Sequence, residues 1–298
     1  MRHLLLTGSN GFLGKNTLSL LKEGGNVISM LDIMNADIEV NLSKEIPRLN
    51  QKYDIVLHAA GKAHSIPKTE AEKQMFFDVN YQGTVNLCKA LEQSGLPKSF
   101  IFISTVAVYG CESGENITED HLLEGITPYA LSKIQAEQYL TEWCGKNQVT
   151  LSILRPSLIA GPNPPGNLGS MIDGIKSGLY FNIAGGKAKK SVLMVHDIAN
   201  LVPLLAEKGG VYNVCDDEHP SFGQIADTIS KQLGKRKPFS IPYSVAKAMA
   251  VCGDMLGNKA PINSVKLAKI TQPLTFSNKK AKENLEWQPI NVLNNFVI

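Results

Sequence analysis

Leu4-Leu5-Leu6-Thr7-Gly8-Ser9-Asn10-Gly11-Phe12-Leu13-Gly14 decides how this chain is read. The leucines make a short apolar run, the length of a buried strand, and it ends in glycines spaced G-x-x-G-x-x-G. From Phe12 to Glu23 apolar residues fall at 13, 18, 20 and 21, a helical spacing, and Gly24-Gly25 closes the pattern as a helix C-terminus does. A strand that turns on glycine into a helix lets the backbone approach a pyrophosphate closely. The helix N-terminus then presents N–H groups and the positive end of its dipole to that anion. Read this way, Gly8, Asn10, Gly11, Phe12, Leu13 and Gly14 form a dinucleotide cradle.

Working outward, Val27-Ile28-Ser29-Met30-Leu31 is a second strand with Asp32 at its tip, 18 positions beyond Gly14. A carboxylate there accepts hydrogen bonds from a ribose diol and repels a 2′-phosphate. No Lys or Arg stands at Ser9, Asn10, Ile33, Met34 or Asn35, so NAD is expected over NADP; the plainer alternative is a solvated strand-end acid. Tyr53 to His58, Phe100 to Ser104 and Val149 to Leu154 are further apolar runs, separated by helical patterns near 70–94 and 128–145. Alternation of this kind predicts an α/β fold, a doubly wound parallel sheet with helices on both faces. After Arg155-Pro156 the texture changes through the turn-rich 161–170. Residues 1–160 are therefore expected to bind the dinucleotide. Residues 161–298 are read mainly as a smaller C-terminal lobe over the carboxyl ends of the strands, with a strand at 211–215 returning to the sheet.

Composition narrows the class. The 298 residues are 43% hydrophobic and 19% charged with net charge +3, an ordinary globular balance that excludes disorder. No apolar run approaches ~18 residues, so nothing is expected to span a bilayer. The basic residues do not gather into one long run, and neither a nucleic-acid nor a membrane partner is expected. Five scattered cysteines without a C-x-x-C pair fit a reducing, cytoplasmic setting, and six histidines show no ligand spacing, so no metal is expected.

Two more motifs carry chemistry. Tyr129-Ala130-Leu131-Ser132-Lys133 is a Y-x-x-x-K behind a Thr127 N-cap and Pro128 at the first helical position. Its spacing puts phenol and ammonium on one helix face, where the lysine is expected to favour the phenolate and make a general acid/base. Ser104-Thr105, at the end of a buried strand, offers a hydroxyl to the same cleft, although a strand-end hydroxyl often only satisfies nearby backbone.

Taken in order, these motifs resemble the extended short-chain dehydrogenase/reductase superfamily, in its nucleotide-sugar epimerase/dehydratase branch. The resemblance spans nearly the whole chain. It includes Leu57-His58-Ala59-Ala60-Gly61, Asp78 to Thr84, Leu154-Arg155-Pro156, Val195 to Ala199 and Glu286-Trp287-Gln288-Pro289, where Glu replaces the branch's usual Gly. It implies a Rossmann-type fold, with Thr105, Tyr129 and Lys133 as the catalytic set. Tyr129 and Lys133 would also touch the nicotinamide ribose. Asn41 and Leu42 would meet the adenine, Ala59, Ala60 and Gly61 the diphosphate–ribose path, with Asn80 behind it, and Ser104 and Pro156 would also bind the cofactor. On the substrate side it implies Asn167 and Leu168 at a sugar diphosphate and Lys190 in place of the branch's arginine; Lys62 and Ser157, with His64 and Asn163, are further pocket candidates.

The resemblance also excludes activities. Val106-Ala107 stand where the 4,6-dehydratases carry Asp-Glu, and Ala107 stands where the GDP-fucose synthase type carries Cys. What remains is an NAD-dependent nucleotide-sugar 4-epimerase serving surface polysaccharide synthesis. The alternatives are a nucleotide-4-keto-6-deoxy-sugar reductase using NAD(P)H and, more remotely, a non-enzymatic dinucleotide sensor. A homodimer through the helices near 70–94 and 128–145 is implied by the resemblance.

Overall fold

The computed structural model describes residues 1–63, 65–255 and 262–298; His64 lies outside them. Seven strands build the central sheet: β1 Arg2–Thr7, β2 Asn26–Asp32, β3 Ile38–Glu39, β4 Ile55–His58, β5 Ser99–Ile103, β6 Thr150–Pro156 and β7 Gly210–Val214. They lie in the order β7-β6-β5-β4-β1-β2-β3, and every pairing is parallel. The order reverses between β1 and β4, which opens a crevice at their carboxyl ends where Thr7 pairs with His58.

The helices are α1 Phe12–Glu23, α2 Glu70–Phe77, α3 Gly83–Ser94, α4 Pro128–Asn147, α5 Gly166–Lys176, α6 Val195–Lys208, α7 Phe222–Gln232, α8 Tyr243–Asp254 and α9 Ser264–Thr271, with short ones at 279–285 and 292–295. Strand alternation distributes the leucines of the opening motif. Leu4 and Leu6 join one buried cluster with Ile198, Leu201 and Leu205 of α6. Leu5 points the other way, into a cluster with Leu87 and Leu91 of α3 and Leu140 and Trp143 of α4. Both faces of the sheet are covered, which is why its strands read as continuous apolar runs.

One predicted element divides. The helical pattern near 70–94 is α2, a π-helical turn over Asp78–Gln82, and α3. The wider turn brings Asn80 to full burial. There its Oδ1 accepts from Lys62 N (2.7 Å), and its Nδ2 donates to Ser132 Oγ (2.9 Å) and Lys62 O (3.1 Å). Beyond residue 160 the chain serves two cores. α6, β7, Ala281, Leu285 and Trp287 pack on the sheet, whereas Leu168, Ile172, Ile225 and Ile229 of α5 and α7 form a core of their own. Parallel strand pairs 158–160 with 192–194 and 182–183 with 240–241 frame the smaller lobe.

Candidate active site

The glycine turn leaves no room for side chains. Gly8 has φ +70°, and a Cβ there would stand 2.6 Å from Ala60 N, so the loops after β1 and β4 abut. A Cβ on Gly14 would fall 2.5 Å from Gly8 O, which presses α1 onto the loop. Gly11 caps α1 with no side-chain hydrogen bond, leaving the helix end open to an anion. Asp32 is fixed by two backbone donors, Asn10 N at 2.8 Å and Ile33 N at 2.7 Å.

Two cavities adjoin here and share Gly8, Gly11, Ala59 and Gly61 in their walls. The smaller, about 290 Å³, is lined by Asp32, Asn41, Leu42, Ala60 and Val79. The larger, about 540 Å³, is lined by Phe12, Leu13, Ser104, Thr105, Tyr129, Lys133, Pro156, Ser157 and Lys62. A dinucleotide fits this arrangement: a bare backbone turn at the centre for the diphosphate, a carboxylate in one pocket for a ribose diol, and a polar set in the other.

That polar set is held by local structure. Thr105 follows β5 in extended backbone and caps the 3-10 turn Val106–Tyr109 by accepting from Ala107 N at 3.1 Å. Thr127 accepts from Ala130 N at 3.2 Å and Pro128 opens α4, as the sequence predicts. Tyr129 and Lys133 therefore stand one turn apart in the cavity wall, which Thr105 shares. Lys133, 5% exposed, donates to Ile103 O at 2.8 Å and sits 4.6 Å over the Phe102 ring. A Cβ on Gly61 would come within 3.2 Å of its Nζ.

Burial dominates the electrostatics here. Burial pushes the Tyr129 phenol up, and the neighbouring Thr105 side chain opposes it. Burial brings Lys133 down to about 8, against the pull of the Glu137 carboxylate. The lysine's hydrogen bond goes to the Ile103 carbonyl, in the floor below Gly61.

The proposed substrate residues separate. Ser157 and Lys62 line the larger cavity, with Lys62 Nζ 5.5 Å over the Phe76 ring. Leu168 is buried in the lobe's core, and Asn167 is exposed on the first turn of α5. Lys190 turns away and donates to Lys269 O (3.1 Å) and Gln272 O (3.0 Å) at the end of α9. None of these three lines either cavity. The carbonyl groups left unpaired at a helix C-terminus attract the Lys190 ammonium.

Sequence reasoning overlooked the support beneath the site. His58, fully buried, meets Thr7 Oγ1 at 2.7 Å and Thr84 Oγ1 at 2.9 Å, Thr84 donates to Asn80 O, and Ala60 N donates to Thr7 Oγ1. Burial lowers His58 to about 3, so the ring is a neutral strut tying β1, β4 and α3 together. The parallel register of Thr7 with His58, both at strand ends, was the available signal.

The model of the NAD dependent epimerase/dehydratase family matches residues 4–215, from β1 to the end of β7. The chain belongs to that family. Among family relatives, it is 29% identical to the N-acetyl-alpha-D-glucosaminyl-diphospho-ditrans,octacis-undecaprenol 4-epimerase of Escherichia coli O157:H7, over 93% of this chain and 88% of that protein. It is 27% identical to the UDP-glucose 4-epimerase of Vibrio cholerae, over 98% and 92%. The crystal structure of UDP-glucose 4-epimerase from Thermotoga maritima with UDP-glucose superposes with TM-score 0.75 at 21% identity, covering 98% of this chain and 95% of that one. At that identity the superposition speaks for the fold. NAD is the cofactor of the family, and the glycine turn and Asp32 fit it.

Proposed function

We propose that the protein is an NAD-dependent 4-epimerase of nucleotide sugars that supplies surface polysaccharide synthesis. The observation that carries this reading is the Tyr129 phenol, set with Thr105 and Lys133 in a cavity wall shared with the glycine turn. NAD, when bound, supplies a hydride acceptor and then a hydride donor, with no net redox change. Tyr129 takes the proton of the C4 hydroxyl and returns it to the reduced oxygen, while Thr105 holds that oxygen in line. Lys133 fixes the cavity floor and is the donor suited to a ribose hydroxyl. Val106 and Ala107 hold no acid that could drive out a hydroxyl, which disfavours dehydration. In this reading residues 1–160 bind NAD. Residues 161–298 mainly cover the sugar, with Ser157 and Lys62 as further polar groups of the cavity wall.

The setting is read as cytoplasmic, supported by five cysteines without a disulfide; no helix among the described residues is long and apolar enough to cross a membrane. A homodimer through α2, α3 and α4 is supported by Met75 of α2 and Leu131 of α4, which stand exposed. Light scattering tests it.

Mass spectrometry of the supernatant from heat-denatured protein tests the main reading. Near-stoichiometric NAD, followed by C4 inversion of a UDP-hexose or of N-acetylglucosaminyl-diphospho-polyprenol, supports an epimerase whose cofactor stays in place between turnovers. An empty protein that binds added NADPH and reduces a 4-keto sugar overturns it in favour of the reductase.

A further inference from the structure

The cations of this chain are unevenly placed. Residues 231–255 and 262–271 hold Lys or Arg at 231, 235, 236, 237, 247, 266 and 269 against one acid, Asp254. The whole chain is only +3, so the rest is net negative. Two of these cations are paired, Lys237 with Asp227 (2.6 Å) and Lys269 with Glu112 (2.8 Å). Lys231, Lys235, Arg236 and Lys247 make no ion pair with a described residue.

The same stretch of chain carries exposed apolar side chains. α8 rests on a seam of small residues, Ala246, Ala250 and Gly253, and packs with Leu267 of α9 and Ile183. Its outward side carries Val245, Met249, Val251 (57% exposed) and, just past its end, Met255 (91%), with Ser244, Lys247 and Asp254 exposed among them. Phe239, immediately before it, is 65% exposed. Exposed apolar side chains grouped on one element mark an interaction surface.

We propose that this face of the C-terminal lobe docks on an anionic phospholipid surface. Lysine and arginine draw the lobe to the headgroups, and Phe239, Val251 and Met255 enter the interface beneath them. A nucleic-acid backbone would use the cations and leave the apolar side chains in water. A second copy seated on the same face would set these cations against their own kind. The contact is peripheral. It rests on charge and exposure alone and stands apart from the reaction proposed above.

The test is co-sedimentation of the full chain with vesicles of phosphatidylcholine, alone or with about one-third phosphatidylglycerol. Binding is expected to the anionic vesicles only, falling steeply by about 0.5 M salt as the charges are screened. The Arg236→Glu/Lys247→Glu variant should partition at least about tenfold less, and Val251→Ser/Met255→Ser should lose what survives at high salt. Equal binding to both vesicles, or to neither, overturns the proposal. So does a dimer in light scattering that Val251→Ser/Met255→Ser dissolves, or retention by duplex DNA without vesicle binding. The salt dependence of the unmodified chain decides the matter should a variant fail to fold.

Discussion

Arg155 Nη2 stands 2.6 Å from Glu137 Oε2, with neither side chain more than 6% exposed. The pair is bidentate, since Arg155 Nε reaches Oε1 at 3.1 Å, and the Ser104 hydroxyl donates to that same oxygen. Arg155 Nη1 also donates to Tyr109 Oη (3.0 Å), which donates to Asn213 Oδ1 (2.6 Å). One buried network thus ties β5, α4, β6 and β7 together directly behind Thr105. Glu137→Gln leaves the guanidinium buried without its counter-charge and should cost about 3–5 kcal/mol in urea unfolding. It also removes the carboxylate that favours charged Lys133, so the lysine should lose its proton below the wild type's value of about 8. A variant as stable as wild type would show that water, rather than Glu137, satisfies Arg155.

Tyr129 and Lys133 should separate by what they damage. Tyr129→Phe removes the proton carrier and keeps the ring, so turnover should fall roughly 10²–10⁴-fold with bound NAD unchanged. Lys133→Met removes a buried donor from the floor below Gly61, so cofactor content should fall along with turnover. The readout is NAD per protein by mass spectrometry beside the rate. Equal NAD loss in both variants would place Tyr129 in cofactor binding rather than in proton transfer.

The sheet was readable because its parallel strands, covered on both faces, are written as unbroken apolar runs such as Leu4-Leu5-Leu6 and Phe100 to Ile103. The glycine turn was readable because Gly8 and Gly14 answer to contacts a Cβ could not share. Less was visible where a role depends on packing between distant segments. Nothing in the spelling of Asp78 to Gln82 marks a π-helical turn, yet that turn delivers Asn80 to Lys62 and Ser132. Lys190 was assigned by its place in the chain, but a lysine's direction is set by which unpaired carbonyls lie in reach, here those at the end of α9. The α8 surface is not marked in the sequence, because its exposed Val245, Met249 and Val251 are spelled like the apolar residues that other helices bury.

Gly14→Ala sets two effects of opposite sign against each other. Alanine is favoured over glycine inside a helix by about 1 kcal/mol. A Cβ at Gly14, however, would stand 2.5 Å from Gly8 O and 2.6 Å from Ser9 Cα, and backbone cannot swing aside as a side chain does. The clash should win, giving lower stability and loss of bound NAD. Gly145→Ala on α4 is the control: no atom lies within 4 Å of its Cβ, so this change should stabilise by up to about 1 kcal/mol. Thermal unfolding of both variants checks the pair, and a stabilised Gly14→Ala would mean that the loop after β1 yields.

Asp197 and His58 should shape the pH dependence of stability in opposite directions. Asp197, fully buried, accepts from Ile290 N (3.1 Å) and Trp287 Nε1 (3.3 Å), and burial raises it to about 7, with Asp216 adding to the rise. The folded state therefore holds this proton more tightly than the unfolded chain does. Its contribution is complete below about pH 4 and is lost as pH climbs through 7. His58 is lowered to about 3 by burial, so its contribution is complete above about 6.5 and is lost as pH falls toward 3. Asp197→Asn removes the first effect and leaves the second. Urea midpoints at intervals from pH 4 to 7.5 should show wild type losing roughly 2–4 kcal/mol relative to Asp197→Asn across that window. Parallel curves would mean that the Asp197 carboxyl is already ionised in the folded protein at pH 4, with the donors from Trp287 and Ile290 outweighing its burial.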